Sequence, residues 1–271
     1  MKGKKHAVLL VLLLMAVLLP AAFDVRLRVV TYEVTSDEVS APVRLAVLTD
    51  LHSCAYGQDQ HILLDTVAAQ APDAVLLGGD IVDDVLPEDN AWTTVKALAE
   101  TYPCAYVTGN HEWWSGKAER ICGQMEDLGI TVLRGDGVTW KLNGQTMVVF
   151  GIDDPDSGDD QLSGIGNTVK ENTFTILLAH RPEKIERYLE YSFDLIVSGH
   201  AHGGQWRIPG VLNGLYAPNQ GMFPQYAGGR YDFDGRTFIV SRGLARESTK
   251  LPRIFNRPEL VVIEILPADQ Q

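Results

Sequence analysis

Cysteine is scarce in this chain. Cys54, Cys104 and Cys122 are the only three in 271 residues, and none forms a Cys-x-x-Cys pair. An odd number leaves at least one thiol free or paired between chains, and three do not fix a redox compartment. Positive charge is also in short supply: the formal net charge is −12. That excludes a general nucleic-acid binder, which carries a basic footprint. No internal repeat or linker marks a second domain, and one α/β domain can fill ~250 residues. The run Asp153 to Asp160 holds five carboxylates but lacks the spacing and terminal Glu of a calcium loop, so it reads as a solvated loop.

What is present is uneven. Residues 203–260 carry eight Arg or Lys against four Asp or Glu, a local +4 that leaves −16 for the rest. A basic C-terminal third suits an anionic substrate, though solvated arginines give the same count. At the other end, Lys2, Lys4 and Lys5 precede an unbroken apolar run from Ala7 to Phe23, closed by Asp24. The run is at the short end of what spans a bilayer and also fits the core of a signal peptide. Leu19-Pro20-Ala21-Ala22-Phe23 offers no clean small-x-small cleavage pair, so an uncleaved anchor is expected, with secretion after cleavage as the alternative. The flanking lysines then place the catalytic domain outside the cytoplasm, on the cell membrane. The division is residues 1–24 as anchor or signal segment, 25–41 as a connecting strand and turn, and 42–267 as the catalytic domain.

Polar clusters recur at the ends of apolar runs. Leu45 to Leu48 leads to Asp50-Leu51-His52, Ala74 to Leu77 to Gly79-Asp80, Ala105 to Val107 to Gly109-Asn110-His111-Glu112, Thr175 to Leu178 to His180, and Leu195 to Val197 to Gly199-His200-Ala201-His202. Such runs read as buried strands. Their polar ends can converge on one edge of a sheet, where α/β proteins bind ligands. Each piece alone is weak: Gly-Asp is a common turn, and a lone His is usually a satisfied core residue. Together they supply two Asp, one Asn and four His for metal, with His111 left over, which is what a two-metal hydrolytic site needs. Helical spacing is expected over His61–Gln70, Asn90–Glu100, Ser115–Leu128 and Pro182–Glu190. Shorter strands follow Thr131, with a hairpin turn at Asn143-Gly144, so the sheets are expected to be mixed. Residues 203–229 read as a long ordered loop over the site, suited to substrate selection.

The signature Asp50-x-His52, Gly79-Asp80-x-x-Asp83, Gly109-Asn110-His111-Glu112, His180 and Gly199-His200-x-His202 resembles that of the calcineurin-like metallophosphoesterases, over about Pro42 to Ile265. His202-Gly203-Gly204-Gln205, Ser241-Arg242-Gly243-Leu244 and Arg257-Pro258-Glu259-Leu260 resemble the membrane-associated bacterial branch. One departure is Glu112, where many members carry Asp. The resemblance implies an α/β/β/α sandwich of two mixed sheets flanked by helices, preceded here by the apolar anchor helix. It implies Asp50, His52 and His202 on a first metal, Asn110, His180 and His200 on a second, Asp80 bridging, and a metal-bridging hydroxide as nucleophile. It also implies His111 as proton donor to the leaving group and Asp83 as the residue that orients His111. Two divalent ions follow, Mn or Fe favoured over Zn, since N and O ligands alone do not choose. The expected activity is hydrolysis of a phosphomonoester, phosphodiester or pyrophosphate bond. Its partners would be an anionic phosphoester such as a phospholipid or UDP-linked glycolipid, and the membrane; no nucleic acid is expected. Some relatives in that branch are associated with removing UMP from a diacylated UDP-sugar, a cytoplasmic substrate that an extracytoplasmic site would not meet. The alternatives are a membrane-tethered metal-binding scaffold without turnover, and a metal-dependent amidohydrolase, whose first motif would be His-x-His.

Overall fold

The computed structural model describes residues 18–165, 172–246 and 251–268, together with His6, Met15 and Ala16. The apolar run expected as an anchor lies largely outside the described residues; its last turn, residues 18–22, is helical. Among the described residues, no helix is long and apolar enough to cross a membrane.

Two six-stranded sheets carry the chain. The first comprises β1 (Arg28–Ser36), β2 (Val43–Leu48), β3 (Ala74–Gly78), β4 (Cys104–Val107), β5 (Thr131–Val132) and β14 (Glu259–Pro267), in the order β1-β14-β2-β3-β4-β5. The second comprises β6 (Asp136–Leu142), β7 (Gln145–Ile152), β8 (Phe174–Ala179), β9 (Leu195–Ser198), β12 (Gly229–Phe233) and β13 (Arg236–Val240), in the order β12-β13-β9-β8-β7-β6. A small hairpin, β10 (Tyr216–Ala217) with β11 (Gly221–Met222), lies between β9 and β12 in the chain. Both sheets are mixed. β2, β3 and β4 run parallel while β14 opposes β2; β7, β8, β9 and β13 run parallel while β6 and β12 are antiparallel edges.

The period-2 alternation of the strands builds the layers. Leu45 and Val47 of β2, Leu76 of β3, Val149 of β7, Ile176 of β8 and Val197 of β9 face inward and form the core between the sheets. Ala46, Leu48, Val75 and Leu77 face out and are covered by Leu63 and Val67 of helix His61–Ala69, Val95 and Leu98 of helix Asp89–Ala99, and Ile121 and Met125 of helix Ala118–Asp127. On the far side Leu177, Ile196 and Phe238 pack beneath Leu162, Ile185 and Tyr188. The result is the expected four-layer α/β/β/α arrangement. β1 is part of it: it pairs with β14 from Arg28↔Glu259 to Ser36↔Pro267, at the sheet's edge.

Some boundaries differ from those expected. Asn110–Trp114 forms its own short helix, which ends before Gly116 (φ 68°), so the next helix starts at Ala118 rather than Ser115. Pro182 opens a 3-10 turn over Pro182–Lys184, and only Ile185–Tyr188 is α-helical. Asn143 and Gly144 both adopt positive φ (49° and 81°), as a tight hairpin turn requires.

Candidate metal centre

The parallel strands of each sheet point their C-terminal ends to one edge, and the polar clusters meet there. Asp50, His52 and His202 bring ligand-capable atoms within 4.8 Å of one another, and Asp80, His180 and His200 do the same. Asp80 Oδ2 sits between the two groups, 3.6 Å from His52 Nε2 and 3.1 Å from His180 Nε2. All seven residues expected as ligands are buried or nearly so, Asn110 included.

The backbone turns sharply to achieve this. Asp50, His52, Asp80, His200 and His202 all have φ between 46° and 63°, a left-handed conformation uncommon outside glycine and a mark of functional sites. Glycine is needed where the turns touch. A Cβ on Gly109 would lie 2.2 Å from Asp80 Oδ1, and one on Gly243 2.6 Å from Asp50 Cβ.

Each acidic residue has one oxygen held and one left over. The His200 amide donates to Asp50 Oδ1 and the His111 amide to Asp80 Oδ1, both at 2.8 Å. Asp50 Oδ2 and Asp80 Oδ2 have no hydrogen-bond partner, and neither do Asn110 Oδ1, His52 Nε2, His180 Nε2, His200 Nδ1 or His202 Nδ1. One orphaned buried atom thus comes from each of the seven expected ligands. Buried polar atoms are rarely left unpaired. Two carboxylates, one amide oxygen and four imidazoles, each with a buried unpaired atom, are a donor set suited to divalent cations, so the residues fit the dinuclear centre.

Partners on the opposite ring nitrogen set three of the imidazoles. His180 Nδ1 donates to the Gly78 carbonyl at 2.8 Å, and His52 Nδ1 to Asp83 Oδ1 at 3.0 Å, which leaves Nε2 to face the centre. His200 is oriented the other way: Nε2 donates to Asn219 Oδ1 at 2.9 Å, so Nδ1 faces inward. Arg181 Nη1 donates to the same Asn219 oxygen at 2.8 Å, while Nη2 donates to Asp154 Oδ1 at 2.8 Å. Burial, then the charges of His180 and Arg181, push His200 down to about 3 and keep it neutral. Burial works against the charge of His180 too, but Asp80 outweighs it and raises the imidazole to about 10. A cation must displace that proton.

His111 stands at the rim, its ring 4.2 Å from His52 and 4.9 Å from Trp114, centroid to centroid. Its Nδ1 lies 2.7 Å from Asp84 Oδ1 and 3.3 Å from Asp83 Oδ1. Burial lowers its pKa, yet Asp83, Asp80 and Asp84 together raise it to about 9. The orienting role expected of Asp83 is therefore divided. Asp83 hydrogen-bonds His52, and Asp84 holds the closer contact to His111.

Sequence reasoning passed over Asp84, Arg181, Asn219 and Asp154. Arg181 adjoins His180 and Asp84 adjoins Asp83, which is the one signal the sequence offers; Asn219 lies in a Gly- and Pro-rich loop with none. The acidic run 153–160 is not wholly solvated. Asp153 and Asp154 are buried and paired with Arg134 and Arg181, leaving the later carboxylates more exposed. Glu112 touches no expected ligand side chain but accepts four backbone amides, from Asp80 and Gly109 on one oxygen and from Ile81 and Val82 on the other. Burial and Asp80 raise it to about 7 against those donors. Cys54 is buried and accepts the Arg246 amide at 3.2 Å.

The sequence profile described as calcineurin-like phosphoesterase matches residues 43–204. The chain is 26% identical over 243 residues to the uncharacterized protein YpbG of Bacillus subtilis strain 168, covering 88% of this chain and 87% of that one. It is 29% identical over 234 residues to the phosphodiesterase YaeI of Escherichia coli K12, covering 84% and 83%. Among solved structures, TT1561 of Thermus thermophilus superposes with a TM-score of 0.50 at 12% identity, over 75% of this chain and 91% of that one, a likeness of fold alone.

Proposed function

Because the chain belongs to the calcineurin-like phosphoesterase family and is a metal-dependent hydrolase of phosphoester bonds, we propose that its two metal ions are held by the seven residues with orphaned buried atoms. Asp50, His52 and His202 hold one ion, Asn110, His180 and His200 the other, and Asp80 both. The single observation that carries this assignment is that each of the seven leaves a buried polar atom unpaired, and six of them fall in two groups whose ligand-capable atoms lie within 4.8 Å of one another. When bound, the ions supply Lewis acidity, which acidifies water and neutralises phosphoryl charge.

The chain's own residues do the rest. With Nδ1 engaged by Asp84, His111 keeps Nε2 for the substrate. As water adds to phosphorus and the bond to the leaving oxygen breaks, the Nε2 proton passes to that oxygen, a step worth ~10² to 10⁴ in rate. Asp83 and Asp84 keep the imidazole charged and aimed. Turnover sets this chain apart from a tethered scaffold.

We assign the substrate to phosphodiesters or pyrophosphates linked to lipid or sugar, and the chain to the membrane-associated branch. The basic C-terminal third and the motifs at His202 and Ser241 support this. The lysines before the apolar run support a catalytic domain held outside the cytoplasm on an N-terminal anchor. Manganese or iron is our choice of metal, with zinc next. The test is full-length protein, stripped with chelator and assayed on an aryl phosphomonoester and an aryl phosphodiester with added Mn²⁺, Fe²⁺ or Zn²⁺. Metal should restore hydrolysis, with the diester preferred, and His111→Asn should lower it by up to ~10² to 10⁴. Full activity in His111→Asn, or in the stripped protein, would contradict the reading.

A further inference from the structure

The segment after His202 exposes apolar side chains that the site does not use. Trp206, Ile208, Val211, Met222, Phe223 and Leu251 are all exposed; Val211 shows 82% of its surface to solvent and Phe223 66%. Backbone pairing holds the segments that carry them together. Trp206 bridges Ile254, and its indole donates to the Pro252 carbonyl next to Leu251. Ile208 pairs with Leu212 in a tight turn that lifts Val211 to the tip. The Leu215 amide donates to the Trp206 carbonyl, and the Phe223 amide to the Leu215 carbonyl. Several large exposed apolar side chains on paired segments mark an interaction site.

The apolar run of the N-terminus ends on this same surface. The Phe255 amide, one residue past the partner of Trp206, donates to the Ala22 carbonyl at 2.7 Å, and Leu18, Leu19 and Phe23 beside it are exposed. The residues before them in the sequence are apolar back to Ala7. Arg26, its side chain 82% exposed and paired with Asp24 at 2.9 Å, follows this segment directly and could exchange that partner for a lipid headgroup. The surface is also joined to the centre, since Asn256 Nδ2 donates to the His202 carbonyl at 2.7 Å and to the Gln205 carbonyl at 3.2 Å.

We infer that this apron of loops docks on a lipid bilayer beside the N-terminal run, so that the metal centre takes phosphoesters presented in the membrane interface. A tryptophan among aliphatic tips, rimmed by arginine, is the pattern of a surface seated at the acyl–headgroup boundary. The docking stands on the surface itself; its consequence for substrate rests on the phosphoesterase reading.

The test uses the full chain reconstituted into vesicles of phosphatidylcholine and phosphatidylglycerol, with a polarity-sensitive fluorophore on Val211→Cys. The three native cysteines are buried, and Glu126→Cys, on an exposed turn of helix Ala118–Asp127, serves as control. The Val211 probe should shift to the blue and be quenched by brominated acyl chains, and the Glu126 probe should do neither. A Val211 probe that stays water-like in vesicle-bound protein would overturn the proposal. So would a shift that acyl bromine does not quench, meaning that the chain's own apolar segment covers the surface, or one that grows with chain density, meaning a second copy. Ile208→Asp combined with Val211→Asp should slow hydrolysis of a vesicle-embedded phosphodiester about a hundredfold or more, from the loss of two aliphatic side chains that docking would bury, and leave hydrolysis of a soluble aryl phosphodiester unchanged. Equal effects on both esters would contradict docking. Failure of the unsubstituted chain on the soluble ester would instead count against the phosphoesterase reading, with the probe still deciding the docking.

Discussion

Asp50, His52, Asp80, His200 and His202 share a left-handed backbone, which Asp and His tolerate better than most residues, but that tolerance alone does not gather five of them in one place. The surrounding hydrogen bonds impose it, and these contacts separate roles that look alike in sequence. Asp83 and Asp84 are neighbours, but Asp83 holds His52 and Asp84 holds His111. Asp84→Asn should lower kcat by a fraction of the ~10² to 10⁴ that a general acid supplies while metal content stays the same. Asp83→Asn should also weaken metal binding. Equal metal content and equal kcat in the two variants would contradict the division. Asn219 fixes the tautomer of His200, and Asn219→Ala should cost roughly 10- to 100-fold in affinity for one of the two ions. Isothermal titration with metal measures this, and two unchanged sites would refute the role. The primary residues were legible because each ends an apolar run. Arg181, Asn219 and Asp154 were not, because their partners lie 19 to 38 positions away and only the fold brings them together.

At the level of elements, strand ends decide position and a few carboxylates tie the pieces. Glu112 joins the turn after β3 to the turn after β4 through four amides. Glu112→Gln would turn an NH₂ toward two of those donors, at a cost of about 1 to 3 kcal/mol. Thermal unfolding should show the loss, and an unchanged Tm would contradict it. Glu88 does similar work at the surface, binding Trp92, Lys117 and Arg120, and so ties helix Asp89–Ala99 to helix Ala118–Asp127. Burial alone would raise its carboxyl, but these donors outweigh it and hold it at about 2, below its ordinary 4.5. Its stabilisation is therefore complete above pH 4.5 and is lost as pH falls toward 2. Glu88→Gln should lower stability by up to about 1 kcal/mol at pH 7, with the difference narrowing as pH falls from 4.5 toward about 2. A gap independent of pH would contradict the pairing. Helix existence was readable from apolar spacing, and so were the starts near His61 and Asn90, whereas those expected at Ser115 and Pro182 were not. Ser115 resembles an N-cap, but its hydroxyl serves the turn between two helices, donating to Glu112 and accepting from Lys117.

The molecule as a whole is two mixed sheets whose joined edge carries a dense set of polar atoms, with an apolar apron beside it. The period-2 strands foretold the layers, and the order of the motifs foretold the edge at which they meet. The apron was foreseen only as a loop over the site. Its exposure depends on pairings such as Trp206 with Ile254, 48 positions apart, which no local pattern reveals. A centre that packs seven unpaired polar atoms should be stabilised by its ions. Saturating metal at about 1,000 times its Kd adds about 4 kcal/mol, or roughly 10 °C in Tm for a chain of this size, and chelation should remove it. The most direct test of the seven-residue centre is metal content by mass spectrometry of the full-length chain and its variants. Two ions per chain are expected in the native protein and in His111→Asn, and fewer than two in Asp80→Ala. One ion or none in the native protein, or two retained without Asp80, would contradict the centre described above.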